Sequence, residues 1–387
     1  MKKFLLLTSV VAALYALTPA EYAKAQQASF SEYKQSQEDA FNAYQKEQEA
    51  AFNAYKEELA KVWNDPKLSS KKSWIEYTQN KKTRTDVNFE KGTIEVETIA
   101  TSLKEAQKEL KVALAKAVTV DTKTVQEQDP LEKRLRKIKK PKGVVDAPVK
   151  AEPILAPIIF TKKPTQKSVK TYVEKKVKPR SIHISKKSKV PKTKIYSVKI
   201  QLPKNSVIKR SKIYYTEVKR QASKQKIPLS LVFAIMHSES SFNPRARSHI
   251  PAYGLMQIVP KTAGIDTYRY LYNKKKLVTG SYLYDSTNNI TMGSAYLHIL
   301  YYRYLRSIKD PVSKMYCTIA AYNTGAGNIA YAFTGKYNMK KAAPIINAMT
   351  SDEVYAKLMK DLRWDEPKHY LKKVSRRMKA YKQIYGS

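Results

Sequence analysis

The sequence predicts a mainly α-helical protein with a small α+β domain near its N-terminus. Three observations support this fold class: an aromatic repeat with a helical period, a hairpin pattern around Gly92, and amphipathic helical runs towards the C-terminus. The chain of 387 residues is long enough for two domains and a connection. We divide it into a signal peptide (1–25), an N-terminal α+β domain (26–120), a basic linker (121–205) and a helical catalytic domain (206–387).

Residues 1–25 have the pattern of a Sec signal peptide. Met1-Lys2-Lys3 is basic, residues 4–17 are apolar, and Ala23-Lys24-Ala25 offers small residues for cleavage. The apolar run is too short to be a comfortable membrane span. No cysteine lies near it, so we expect no lipobox and no lipid anchor. The protein is therefore predicted to be exported to a periplasm, where a membrane or the cell wall could hold it.

The charge of the chain predicts an anionic partner. Lysine and arginine total 73 against 33 acidic residues, a formal net charge of +40. Nucleic acid, an anionic membrane surface and an acidic polymer such as a cell wall are the candidate partners. Export argues against nucleic acid and no nucleic-acid-binding motif accompanies the charge, so we expect no nucleic acid.

The chain offers few residues that bind metals or form disulfides. Its single cysteine, Cys317, lies in an apolar helical run and is expected to be a small buried hydrophobe rather than a reactive thiol. Its five histidines show no ligand spacing. We predict no metal and no cofactor.

Large aromatic residues recur every 11 residues at the start of the N-terminal domain. Eleven residues are close to three turns of an α-helix, so the repeat returns to one face. We expect a long amphipathic helix whose aromatic stripe packs on its own domain; a docking face for a partner helix or the cell wall is the alternative. The stripe consists of Phe30, Tyr33, Phe41, Tyr44, Phe52, Tyr55 and Trp63.

The rest of the N-terminal domain predicts a β-hairpin and a helix. Apolar and polar residues alternate on both sides of Glu90-Lys91-Gly92, as in two strands joined by a tight turn. Residues 101–118 carry Ala and Leu at three- and four-residue spacing, which is typical of a helix. Residues 195–200 also alternate and are expected to add a strand to one of the domains.

Residues 121–205 are rich in lysine, arginine and proline and show no helical period. We interpret them as a basic linker that is extended in part. Two roles stay open for it: a solvated spacer, and electrostatic contact with an anionic wall or membrane surface.

A candidate catalytic residue lies in the stretch 231–262. Leu231, Ile235 and Glu239 lie four residues apart on one face of a predicted helix, so the Glu239 carboxylate continues an apolar stripe. Partial desolvation would raise its pKa and suit a proton donor. A structural glutamate that caps or pairs locally is the alternative that this pattern leaves open.

Four motifs, in this order along the chain, resemble the soluble lytic transglycosylase (SLT) family. They are Glu239-Ser240-Ser241-Phe242-Asn243-Pro244, Gly254-Leu255-Met256-Gln257, Ala321-Tyr322-Asn323-Thr324-Gly325 and Glu366-Pro367-Lys368-His369-Tyr370. The aromatic repeat, the hairpin and the strand at 195–200 are further similar to the membrane-bound lytic murein transglycosylase C group. The resemblance covers most of the chain outside 1–25 and 121–205.

The resemblance implies a goose-lysozyme-like helical domain that acts on the glycan strands of peptidoglycan. It implies cleavage of the β-1,4 bond between N-acetylmuramic acid and N-acetylglucosamine without water, which leaves a 1,6-anhydro ring. Glu239 would be the single catalytic acid and then the base. Substrate binding is implied for Ser248, Gln257, Tyr322, Asn323 and Tyr370.

The sequence leaves two other functions open. A lysozyme-like hydrolase on the same fold would use water and a second carboxylate, and Asp266, Asp285 or Asp310 could fold near Glu239. A non-catalytic protein would bind the cell wall through the aromatic helix and the basic segment.

Overall fold

The computed structural model describes residues 19–249 and 251–386. The apolar part of the predicted signal peptide lies outside these residues, and the predicted cleavage site lies inside the first helix. Helices dominate the described residues and one five-stranded sheet lies in the N-terminal half, which confirms the predicted fold class. None of the described helices has the length and apolar character of a membrane span. We call residues 19–205 the N-terminal unit and residues 206–386 the C-terminal unit.

The first helix, α1 (Pro19–Ala60), carries the aromatic repeat as far as Tyr55, and Trp63 follows its end and is buried beside Tyr55. Its described side chains before Phe41 are exposed, whereas Phe41, Tyr44 and Tyr55 are buried. Tyr55 packs in the N-terminal unit, as predicted. The ring of Phe41 instead lies 5.6 Å from the Lys261 ammonium of the C-terminal unit. The stripe therefore packs on both units and not only on its own domain. The side chains of Phe30 and Tyr33 lie outside the described ones.

Five antiparallel strands form the sheet, in the order β1-β2-β3-β5-β4. β2 and β3 form the predicted hairpin, and Gly92 in its turn has a φ of 65° that favours glycine. The strand predicted at 195–200 is β5, which pairs with β3. The predicted helix after the hairpin packs on the sheet as α2 (Leu103–Thr119). The strands are β1 (Ser73–Tyr77), β2 (Thr83–Asn88), β3 (Thr93–Ala100), β4 (His183–Lys187) and β5 (Lys194–Gln201).

Residues 121–205 are folded, which corrects the prediction of a linker. Leu155, Ile158 and Val173 are buried in one core with the sheet and α2. The helices of this segment have only four to eleven residues, too few turns to show a period among so many lysines. Besides β4 and β5, the segment contains α3 (Thr122–Gln128), α4 (Pro130–Lys137), α5 (Ala156–Ile159) and α6 (Gln166–Lys176).

The C-terminal unit is built of helices around α9, whose residues 229–236 are all buried. Cys317 is buried in the same core, as predicted. π-helical turns lie at Pro260–Gly264 and Leu300–Tyr304. The helices are α7 (Ser206–Ile213), α8 (Tyr215–Gln225), α9 (Leu229–Glu239), α10 (Ile265–Tyr272), α11 (Gly280–Tyr284), α12 (Ser286–Ile299), α13 (Pro311–Thr324), α14 (Ala326–Thr334), α15 (Met339–Asn347), α16 (Ser351–Asp361) and α17 (Asp365–Tyr385).

Buried polar contacts join the two units. Arg245, which is 4% exposed, donates to Glu132 Oε1 and to Gln126 Oε1, both at 2.7 Å. Lys209 on α7 donates from Nζ to the carbonyl oxygen of Ile158 at 2.9 Å. A buried charge is costly unless it is paired, so these contacts favour one arrangement of the units.

Leu155→Ala tests the folded state of the segment 121–205. Leu155 is fully buried, so the substitution is expected to lower the free energy of unfolding by about 3 kcal/mol. Chemical denaturation measures the change. Val112→Ala is the control, because Val112 is 59% exposed and should change stability by less than about 0.5 kcal/mol. Equal stabilities of the two variants would contradict a packed core at Leu155.

Candidate active site

Glu239 is the last residue of α9 and is only 6% exposed. Ser241 and Phe242 then take positive φ angles of 52° and 62°. Such angles cost non-glycine residues about 1–3 kcal/mol each and persist only where the surroundings hold them. Phe242 is 1% exposed, so the burial of its ring offsets the strain. The turn therefore ends α9 abruptly at Glu239.

Burial raises the pKa of the Glu239 carboxyl above its ordinary value. The ammonium groups of Lys71 and Lys72 lower this pKa, as does the hydroxyl of Tyr370, whereas the carboxylate of Glu366 raises it. Burial is the largest of these effects. The carboxyl therefore keeps its proton to a higher pH than an exposed glutamate does, which suits a general acid.

The hydroxyl of Tyr370, on α17, lies beside Glu239. Burial raises the pKa of this hydroxyl well above its usual range, and the Glu239 carboxylate raises it further. The hydroxyl nevertheless has no partner at hydrogen-bonding distance among the described residues. The two groups are therefore adjacent but not hydrogen-bonded. A buried hydroxyl without a partner is unusual, and a bound ligand could complete its hydrogen bonding.

Tyr322, on α13, holds the loop that carries Gln257. Its hydroxyl donates to the carbonyl oxygen of Met256 at 2.8 Å. Gln257 has a φ of 50°, and its Nε2 donates to the carbonyl oxygen of Gly254 at 3.0 Å. The Oε1 of Gln257 is buried and has no partner within the described part of the chain. This oxygen can therefore accept a hydrogen bond from a ligand.

Asn289, to which no motif pointed, supports the same loop. Its Oδ1 accepts from the backbone N–H of Met256, and its Nδ2 donates to the carbonyl oxygens of Tyr253 and Leu283, all at 2.8 Å. A Cβ atom at Gly254 would lie 2.3 Å from Asn289 Nδ2 and 2.4 Å from the Leu283 oxygen. Only glycine fits there, because the loop passes directly over α12.

Ser248 lines a positively charged groove that reaches Lys71 and Lys72, the lysines that act on Glu239. The Oγ of Ser248 accepts from the backbone N–H of Ala252 at 3.0 Å, which closes a turn. The groove has a volume of about 480 Å³, and no carboxylate is among its described lining residues. Its basic residues are Lys56, Lys71, Lys72 and Arg247.

Glu366 is a second carboxylate near the site. Its Oε1 lies 4.0 Å from Lys71 Nζ and 3.5 Å from Asn323 Nδ2, and its side chain is 73% exposed. The aspartates that the sequence offered as partners of Glu239 have other contacts: Asp266 accepts from the hydroxyl of Tyr304, and Asp285 and Asp310 cap α12 and α13.

The predicted site residues thus lie in one region, joined by these contacts. Lys71 and Lys72 were missed, because Lys72 lies 165 residues before His237 of α9 and belongs to the other unit. Within residues 19–249 and 251–386, no group of three or more His, Cys, Asp or Glu side chains is arranged so that it could hold a metal ion. The absence of a metal stays a prediction.

Known protein families match both units of the chain. The family described as "Transglycosylase SLT domain" matches residues 217–345. The family described as "Membrane-bound lytic murein transglycosylase C, N-terminal domain" matches residues 36–133.

Curated relatives match most of the chain. The membrane-bound lytic murein transglycosylase C of Serratia proteamaculans is 34% identical over 328 residues, which cover 82% of this chain and 84% of that protein. The protein of the same name from Klebsiella pneumoniae is 34% identical over 322 residues, with coverages of 82% and 83%. Among solved structures, the 70-kDa soluble lytic transglycosylase of Escherichia coli is 26% identical with a TM-score of 0.35, covering 45% of this chain and 25% of that one.

Lys71→Met is expected to raise the pKa of Glu239 further. Lys71 provides the largest of the interactions that lower this pKa, and methionine removes its charge. The pH dependence of the glutamate side-chain ¹³C shifts measures the pKa, and Glu239→Gln assigns the resonance. Lys56→Met is the control, since Lys56 lies in the same groove but is not among the main influences on Glu239. An unchanged titration in Lys71→Met would contradict the described geometry.

Proposed function

Since the chain belongs to the family of membrane-bound lytic murein transglycosylase C and is a peptidoglycan lytic transglycosylase, we propose a non-hydrolytic reaction for it. In this reaction it cleaves the β-1,4 bond between N-acetylmuramic acid and N-acetylglucosamine without water and releases 1,6-anhydromuropeptides. The observation that carries this proposal is the buried carboxyl of Glu239 with its raised pKa. One such carboxyl can give a proton and then take one back.

In the proposed reaction Glu239 acts twice. It first donates its proton to the glycosidic oxygen, and the bond from that oxygen to C1 of the muramic residue breaks. The C6 hydroxyl oxygen of the same residue then bonds to C1, and the Glu239 carboxylate takes the hydroxyl proton. Atoms and charge balance without water, because the ring closes within the substrate.

The other predicted residues are proposed to bind and orient the sugar. The N-acetyl oxygen of the substrate would stabilise the positive charge at C1, and the Tyr322 hydroxyl could accept from the acetamide N–H, since its own proton is held by the Met256 carbonyl. The unpartnered oxygen of Gln257 and hydroxyl of Tyr370 support a role in contacting the substrate. Asn323 and Ser248 lie at the edges of the site and are proposed to contact sugar hydroxyls.

A hydrolase that uses water is the second candidate, and Glu366 is the observation that favours it. Glycosidases that use water generally employ two carboxyl groups, one as acid and one as base or nucleophile. Glu366 is close enough to Glu239 to raise its pKa. Its exposed side chain and its contacts with Lys71 and Asn323 argue against a base poised on a reacting water.

We further propose that residues 206–387 form the catalytic domain and that residues 1–25 direct export to the periplasm. We also propose that the positive charge of the chain keeps the protein near an anionic wall or membrane surface. The net charge of +40 supports the last point. Within the folded segment 121–205, several lysines close together in sequence are exposed: Lys162, Lys163, Lys167, Lys170 and Lys175.

Product analysis tests the proposed reaction. Purified peptidoglycan is digested with the whole protein, and the soluble fragments are analysed by mass spectrometry. Non-hydrolytic cleavage should give muramic ends that are one water lighter than reducing ends, because the 1,6-anhydro ring replaces the added water. Fragments with reducing muramic ends would instead support the hydrolase.

Glu239→Gln and Glu366→Gln separate a one-carboxyl from a two-carboxyl mechanism. The first substitution removes the proton donor and should lower kcat by about 10²–10⁴-fold. The second should keep most of the activity, since only one carboxyl acts in the proposed reaction. Glu127→Gln, whose side chain is 53% exposed on α3, is the matched control for the loss of a glutamate charge. A comparable collapse of kcat in Glu366→Gln would sink the one-carboxyl mechanism.

A further inference from the structure

A lysine of the N-terminal unit reaches the end of the catalytic helix. Lys72 precedes β1, and its Nζ donates to the carbonyl oxygens of His237 and Ser238 at 3.1 and 2.7 Å. It also donates to Ser241 Oγ at 3.2 Å. Ser238 is the residue before Glu239, and Ser241 begins the strained turn after it. All three hydrogens of the ammonium group are thus used around Glu239.

The carbonyl oxygen of Ser238 at the end of α9 needs such a donor, whereas that of His237 also accepts from the backbone N–H of Ser241 at 3.2 Å. The last carbonyl oxygens of a helix lack partners within the helix, and the aligned peptide dipoles make this end partially negative. A cation placed there satisfies the carbonyls and interacts favourably with the dipole. In α9 this end is buried, so unsatisfied carbonyls would be costly.

The backbone of Lys72 is itself held between the two units. Its carbonyl oxygen accepts from the backbone N–H of Phe89 at 2.8 Å, which ties it to the end of the β2 strand. Two residues earlier, the carbonyl oxygen of Ser70 accepts from the backbone N–H of Arg247 at 3.4 Å, in the loop that leads to Ser248. Lys72 therefore transmits the position of the sheet to the end of α9.

We propose that Lys72 is a positioning residue of the active site, through which the N-terminal unit holds the end of α9 and the Glu239 carboxyl in their reactive placement. The proposal rests on the proposed role of Glu239 as the catalytic acid. It assigns the N-terminal unit a part in catalysis in addition to any part in binding the cell wall. Lys72 itself does not touch the reacting atoms.

The electrostatics of the pair agree with this geometry. Burial lowers the pKa of Lys72 to about 7, with Lys373 and Arg377 lowering it and Glu90 and Glu239 raising it. Reciprocally, Lys72 lowers the pKa of Glu239. The other groups that face Glu239 include Lys71, Tyr370 and Glu366, which affect its pKa, and Tyr322, whose own pKa Glu239 raises.

The test compares Lys72→Met, Lys72→Arg and Lys209→Met in the full chain, with soluble glycan strands as substrate. Lys209 also bridges the units through a carbonyl oxygen, but of Ile158 and away from α9, so it controls for loss of contact between the units. For Lys72→Met we expect kcat to fall about 10- to 100-fold, since misplacing a catalytic group by about 1 Å has an effect of this size. KM should change by less than about twofold, because Lys72 acts through Glu239.

The pH profile distinguishes positioning from a loss of folding. Activity is lost at alkaline pH when Glu239 loses its proton, so removing the nearby positive charge should move this alkaline limb to higher pH. Lys72→Arg keeps the charge and should leave the limb in place while it restores part of kcat. If Lys72→Met does not fold, Lys72→Gln replaces it, since the amide can still donate to two of the acceptors.

The proposal is overturned if Glu239→Gln is inactive while Lys72→Met keeps the kcat and the alkaline limb of the wild type. It is also overturned if Lys72→Met and Lys209→Met change kcat and the alkaline limb equally. Full activity of Glu239→Gln would instead overturn the proposed function. The two failures are therefore distinguishable in one set of assays.

Discussion

The carbonyl oxygens at the buried end of α9 are the groups on which the site depends. A helix cannot satisfy them itself, and α9 ends at a turn whose φ angles are unfavourable for serine and phenylalanine. Lys72 from the N-terminal unit donates to this end, and Arg210 from α7 donates to the carbonyl oxygen of Ser241. The placement of Glu239 is therefore a property of both units together, and not of the helix alone.

The positive charge of the chain and the burial of the candidate catalytic carboxyl of Glu239 have opposite effects on the pKa of that carboxyl. A lysine beside a carboxyl lowers the pKa of that carboxyl, and Lys71 and Lys72 both do so at Glu239. Burial outweighs them, so the site combines a carboxyl that keeps its proton with a basic groove next to it. The tyrosines keep their protons for the same reason, since burial raises the pKa of Tyr322 and Tyr370 well above the usual range.

Sequence patterns predicted the elements whose side chains alternate or repeat strongly. The hairpin around Gly92, the helix after it and the strand at 195–200 all form as expected, because each has a regular pattern of apolar residues. The segment 121–205 is rich in lysine, arginine and proline and shows no helical period, and this composition predicted a linker. Leu155 and Val173 nevertheless fill the core beneath the sheet, and a few such side chains are enough to fold short helices onto an existing surface.

The sequence by itself determined the identity of the candidate acid and of its family, because motif residues at fixed order report the chemistry they serve. It also determined that Glu239 continues an apolar face, and so that burial would raise its pKa. Only the tertiary structure decided which charges oppose that shift, since Lys71 and Lys72 approach Glu239 from a loop far away in the chain. Electrostatic and hydrogen-bond energies depend on distance in space, and the pairing of a sheet loop with a helix end leaves no periodic trace in the sequence.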